Sequence, residues 1–316
     1  MTLDKTGSQP KSTPKAPLLQ VLKGKRVLSL ALNLPGPAAL MRCRQMGATC
    51  IKLEPPPPLS APAGASGDPM SSYSPSAYAA MHSGIRIMVA DLKTDKGQKK
   101  LHTELAKADV LITSFRPSAL VKLGLTWKAL HQQYPALSQI CIVGAPGEQG
   151  ESPGHDLTYL AENNLVTGLD LPATLYADMG GSLMASEAVL QAVLHQASKG
   201  KGARFEIALS QAAAYLALPR TWGLTTLGAT AGGGHAGYQV YKCKDGRVAV
   251  AALEPHFAQH LCAAAGLETS SMAAMLMPAT QIAIAAWLQG KTRKQLDTLG
   301  VEKDIPLLTL LTLSDQ

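Results

Sequence analysis

Aromatic side chains are scarce in this 316-residue chain, at three Phe, three Trp and eight Tyr, 4% in all. Alanine is abundant instead, so closely packed helices are expected. A basic stripe with interleaved aromatics, the usual footprint of a nucleic-acid surface, is missing. The 29 Lys and Arg outnumber the 22 Asp and Glu to leave +7, but they are scattered. No nucleic-acid partner is expected, and two readings of the charge stay open: a solvated basic surface, or a small phosphorylated ligand. No apolar run reaches the ~18 uncharged residues of a membrane span, so no membrane partner is expected either. Residues 1–17 are polar and carry Lys and Pro without the apolar stretch of a signal peptide. They read as a disordered tail.

Metal and dinucleotide signatures are lacking as well. The cysteines are Cys43, Cys50, Cys141, Cys243 and Cys262, an odd number with no CxxC and no zinc-like spacing. They are expected as small buried hydrophobes in a reducing cytoplasm, with no metal site. The first strand-turn-helix holds neither GxGxxG nor a GK[ST] loop, so no dinucleotide fingerprint and no P-loop is present. A nicotinamide oxidoreductase is therefore the weakest of the functions considered.

What is present points to a packed globular protein, with 46% apolar and 16% charged residues. The length suggests two domains on a prior of ~150 residues each. Residues 25–32 read as a buried strand, Asn33 to Pro37 as a turn, residues 38–46 as a helix and residues 48–53 as a second strand. A long Pro- and Ser-rich linker without regular structure is expected over residues 54–78. Strands follow at 86–91, 109–113, 137–143 and 204–209, alternating with helices, which is the pattern of a parallel α/β sheet. The clearest helix is expected over residues 182–198. Beyond it lie a glycine-rich turn at Gly232–Gly234 and a hairpin turning at Lys244-Asp245-Gly246. The expected organisation is a large α/β domain over 18–222, a smaller α+β domain over 223–300 and a short C-terminal segment over 301–316.

Two loop-to-helix junctions carry the candidate chemistry. Asp178 precedes Gly180-Gly181. It reads as a helix cap, and equally as a carboxylate that a helix dipole keeps ionised beside an open approach. His155 follows Pro153-Gly154. It reads as a loop histidine, and equally as an acid/base group. Glu254, in Leu253-Glu254-Pro255, taken alone is a solvated residue at a helix start. Arg116 ends a strand at the carboxyl edge of the sheet, where open α/β sheets bind ligands. Lys122, Arg86 and Lys52 each read singly as surface charges.

The ordered set Leu34-Pro35-Gly36-Pro37, Ile51-Lys52-Leu53-Glu54, Ala90-Asp91-Leu92-Lys93, Asp109 to Pro117, Gly154-His155-Asp156, Ala177-Asp178-Met179-Gly180-Gly181 and Leu253-Glu254-Pro255-His256-Phe257 resembles the family III CoA-transferases (the CaiB/BaiF group), and within them the α-methylacyl-CoA racemase branch. The resemblance implies a large Rossmann-like domain, a smaller α+β domain and an interlocked homodimer. It implies coenzyme A, carried as an acyl-CoA substrate, and for a transferase a carboxylic acid acceptor. It makes Asp178 the residue that is acylated in a transferase, or one of two acid/base groups with His155 in a racemase. It makes Glu254 the group that orients a histidine, Gly180 and Gly181 donors near the reacting oxygen, and Arg116, Lys122, Arg86 and Lys52 contacts to coenzyme A. Against the family pattern, the interval from His155 to Asp178 is shorter, the loop after Leu53 is longer, and the chain stops at Gln316 where relatives continue. A degenerate homologue that binds acyl-CoA without turnover is the alternative.

Overall fold

A computed structural model describes residues 19–268 and 270–312; the expected tail over residues 1–17 lies outside them. Two compact units follow one another in sequence, the first ending at Leu216 and the second starting at Ala217.

The first unit is built on six parallel strands: β1 (Arg26–Ser29), β2 (Thr49–Glu54), β3 (Arg86–Val89), β4 (Val110–Thr113), β5 (Ser138–Val143) and β6 (Arg204–Ala208). Their order across the sheet is β3-β2-β1-β4-β5-β6. Side-chain alternation assigns the two faces. Val27, Cys50, Val110, Ile112, Ile140 and Ile142 point to one core, and Leu28, Ile51, Leu53 and Leu111 to the other. Helices Pro35–Gln45 and Tyr176–Lys199 cover the first face, and helices Asp95–Leu105 and Trp127–Gln133 the second. Helices on both faces explain why the strands read as nearly continuous apolar runs.

The alanine content serves close packing, as expected. Ala177, Ala185, Ala188 and Ala192 of the long helix are buried. A Cβ on Gly181 would stand 2.3 Å from Leu209 Cδ2, so glycine lets helix Leu209–Leu216 approach this closely without displacing that side chain.

Three local expectations are corrected. The helix after β1 begins at Pro35, inside the expected turn, because proline suits the first helical position where no N–H partner is needed. The segment expected to be irregular to residue 78 contains helices Met70–Tyr73 and Pro75–Met81. The long helix starts at Tyr176, ahead of the glycine pair.

The second unit packs helices Pro255–Ala264, Pro278–Gln289 and Arg293–Glu302 with an antiparallel sheet. β7 (Tyr238–Cys243) and β8 (Gly246–Ala251) form the expected hairpin. The apolar run near the C-terminus supplies β9 (Leu307–Leu310), antiparallel to β8. The Asp245 carboxylate accepts from the Arg293 N–H at 2.7 Å, which ties the hairpin turn to a helix start. The glycine-rich turn is pinned, since the Gly233 carbonyl accepts from the Gln239 and Gln281 side-chain amides, each at 2.7 Å.

Candidate active site

Sheet order reverses at β1, where chain connections leave in opposite directions from β1 and β4. Such a switch point opens a crevice at the carboxyl ends of the strands. A cavity of about 880 Å³ lies there. Its walls come from the residues after β1 (Leu32 to Pro35), after β4 (Ser114 to Arg116) and at the end of β5 (Ile142 to Gly144). The loop at Gly150 to Leu157, the start of the long helix, the Met70 to Ala77 segment, Tyr159 and Leu209 complete it, and every lining residue belongs to the first unit.

His155, Asp178 and Arg116 all line this cavity. His155 is exposed and stands at the N-cap of helix Asp156–Glu162, where its backbone N–H donates to Thr158 Oγ1 at 3.1 Å. Asp156, the next residue, is 5% exposed. Its Oδ1 accepts the Asp178 N–H at 2.9 Å, satisfying a first-turn donor of helix Tyr176–Lys199 that has no intrahelical partner. A carboxylate from one helix thus caps the other and holds Asp178 beside His155. Leu175, the N-cap residue of the long helix, has no side-chain capping bond, which is the one local hint that a cap comes from elsewhere. From the sequence alone no role is expected for Asp156.

The Asp178 carboxyl is pushed up to about 6, first by burial and then by the Asp156 carboxylate, with His155 pulling the other way. Burial wins over the favourable helix end. Tyr159 is buried beneath the site. Its hydroxyl fills the space that side chains on Gly144 and Gly154 would take, at 2.3 and 2.6 Å from the positions of their Cβ atoms. Burial and then Asp178 hold the Tyr159 hydroxyl above its ordinary value, while Arg116 opposes them, so it stays a neutral donor. The pocket therefore presents an exposed imidazole together with a carboxyl pushed up to about 6, on a mostly apolar lining.

The other expected residues separate. Arg116 is the N-cap of helix Pro117–Lys122, and Lys122 is its exposed last residue, outside the cavity lining. Arg86 opens β3 and is exposed, at the end of the parallel sheet away from the cavity. Gly180 and Gly181 stand in the second turn of the long helix, where N–H groups bond the carbonyls four residues back. They donate nothing to the pocket and serve packing against Leu209, Ala212 and Leu216. Glu254 lies in the second unit as the exposed N-cap of helix Pro255–Ala264.

Lys52 is the largest correction. It is fully buried, not a surface cation at a strand end. Its ammonium bonds the Asp68 carboxylate, Glu54 Oε1 at 2.9 Å and His82 Nε2 at 3.0 Å, and lies 5.4 Å from the Tyr78 ring centroid. Ligand atoms of Glu54, Asp68 and His82 fall within 4.8 Å of one another, a spacing that suits a metal. The Lys52 ammonium already stands among them as their cation.

Residues 22–316 match the sequence model of CoA-transferase family III. The chain is 30% identical over 207 residues to cinnamoyl-CoA:phenyllactate CoA-transferase of Clostridium sporogenes, covering 62% of this chain and 50% of that protein. It thus spans about half the length of that relative. It is 28% identical over 278 residues to alpha-methylacyl-CoA racemase of Mus musculus, covering 82% of this chain and 68% of the racemase. A crystal structure of a hypothetical protein (Rv3272) from Mycobacterium tuberculosis superposes with a TM-score of 0.76 at 22% identity, over 94% of this chain and 87% of that one, a likeness of fold.

Proposed function

The chain belongs to CoA-transferase family III, and on that premise we propose that it is an acyl-CoA enzyme that racemises or epimerises the α-carbon of a 2-methylacyl-CoA with His155 and Asp178. The observation that carries this reading is the pairing of an exposed imidazole with a carboxyl raised to about 6 in one cavity. The α-proton of a thioester is acidic because the carbanion delocalises onto the carbonyl oxygen. Inversion needs a base on one face and an acid on the other, with proton affinities close enough for both directions to run. Neutral His155 takes the α-proton and the C–H electron pair moves into the enolate. The protonated Asp178 carboxyl then returns a proton to the opposite face, and the reverse turnover restores both groups. At a pKa of about 6, roughly a tenth of Asp178 carries that proton at pH 7. Arg116, exposed at the cavity rim, is the residue we assign to the coenzyme A phosphates.

Incubation with a 2-methylacyl-CoA in deuterated water tests this. Incorporation of α-deuterium, lost in Asp178→Asn and in His155→Gln, is the expected result, and its absence from the unmodified protein would sink the racemase reading.

A second reading is CoA transfer to a carboxylic acid. It is favoured by the same Asp178, since a more basic carboxylate is the better nucleophile on a thioester carbonyl. The Asp178 oxygen would bond the acyl carbon as the C–S bond breaks and coenzyme A leaves as thiolate. Hydroxylamine trapping at Asp178, with CoA exchange between an acyl-CoA and a free acid, tests that route. A chain that is stabilised by coenzyme A yet turns over no acyl-CoA returns to the degenerate-homologue reading. We also read the protein as a homodimer, to be checked by light scattering, and its five buried free thiols as suited to a reducing cytoplasm.

A further inference from the structure

One wall of the cavity lies outside the support of the sheet. It is made of Asn33 and its neighbours after β1, and of Met70, Tyr73 and Ala77 from the two short helices beyond the proline-rich loop. Asn33 has φ +63°, a left-handed conformation that asparagine tolerates better than most residues other than glycine. Asp68 fixes its backbone there. Its two carboxylate oxygens accept from the Asn33 N–H at 3.1 and 3.2 Å, and Oδ1 also accepts from the Met70 N–H at 2.9 Å. One carboxylate therefore ties both halves of the wall together.

That carboxylate is fully buried, and the buried ammonium of Lys52 on β2 meets its charge. Glu54, His82 and the Tyr78 ring complete the ammonium's surroundings. His82 Nδ1 lies 2.6 Å from the Tyr78 carbonyl, so this nitrogen carries the proton and Nε2 accepts from Lys52. The loop that delivers Asp68 closes where Gly67 touches the Pro55 carbonyl, at a spot where a Cβ would come within 1.8 Å of the oxygen. β2, rigid within the sheet, thus anchors a wall that has no strand of its own.

We propose that Lys52 and Asp68 are positioning residues for the substrate: they touch no reacting atom, and they set the Asn33 and Met70 wall against which the acyl-CoA seats. The inference rests on the reading of the cavity as the acyl-CoA site. It also gives a role to a lysine in a strand interior, where removing its charge from water is costly.

The test uses the full chain with Asp68→Asn, Lys52→Met and a packing control, Leu101→Ala. Leu101 is buried in the core on the other face of the sheet. Two readouts are taken: hydrogen exchange at the Asn33 and Met70 amides without ligand, and kcat and KM for the acyl-CoA. Asp68→Asn is expected to speed exchange at those two amides and to raise KM on the order of tenfold with kcat changed less than about threefold. Leu101→Ala is expected to lower the melting temperature with KM unmoved. If the Asp68 and Lys52 variants behave like Leu101→Ala, with unchanged amide protection and unchanged KM, the inference is overturned. Should Lys52→Met fail to fold, Asp68→Asn, which keeps side-chain shape, decides alone. Unchanged exchange overturns this inference by itself, whereas an unmodified protein that binds no coenzyme A ester overturns the reading of the cavity and this inference with it.

Discussion

Lys52, Glu54, Asp68 and His82 form a dry cluster in which opposite charges meet and nearly every polar atom has a partner. Elsewhere in the same unit, at the cavity beyond the carboxyl ends of the strands, Asp178 faces a like-charged carboxylate and open space instead. Both clusters place ionisable groups out of water. In the first, opposite charges pair in place and tie β2 to the loop that carries Asp68. In the second, burial with a like charge lifts a carboxyl to about 6, which leaves it able to exchange a proton near neutrality. Burial is common to both clusters; what differs is the sign of the nearest charge.

The comparison predicts different failures. Asp178→Ala is expected to cost about 10²- to 10⁴-fold in kcat on an acyl-CoA, as loss of an acid/base group does; an active Asp178→Ala enzyme would break the contrast outright. Lys52→Met is expected to cost about 3–5 kcal/mol of stability in denaturant melts, because two buried carboxylates lose their cation. A near-neutral effect would show that the cluster is wetter than it looks.

The sign of the Asp178 shift gives the third prediction. Its folded value lies above its unfolded one, so the fold favours the protonated form. That preference contributes stability below the unfolded pKa of about 4 and is lost as pH rises to about 6. Asp178→Asn should then stabilise the protein at pH 7–8 by on the order of 1–2 kcal/mol, after discounting for partial exposure, while turnover falls. Melting curves at pH 4 and pH 8 check it, and equal shifts at both would refute it. Asp156→Asn removes a like charge and should move the acid limb of the rate profile to lower pH. The smallest effect is Tyr78→Phe, which loses the hydroxyl donated to Glu54 Oε1 at 2.9 Å and should cost about 1 kcal/mol.

Much of the site was legible before the fold. His155, Asp178 and Arg116 sit at strand and helix ends, and the punctuation around them, Pro153-Gly154 and Arg116-Pro117, is local. Gly180 and Gly181 misled because a glycine pair after Asp178 resembles a helix start. The true start lies earlier, since its cap comes from Asp156, 22 residues before Asp178. Lys52 misled because a cation near a strand end is usually solvated; its partners Asp68 and His82 come 16 and 30 residues later. β9 was passed over because its partner strand is more than fifty residues back.

The sequence by itself determined the alternating strands and helices, the hairpin turn, the small-residue helix contacts and the family resemblance. Each of these rests on periods of two and 3.6 residues or on the backbone limits of glycine and proline, which act within a few residues. Only the tertiary structure decided which charges pair in the interior and which line the cavity. The proton affinity and role of a charge depend on water exclusion and on the sign of its nearest neighbour, and that neighbour arrives from elsewhere in the chain.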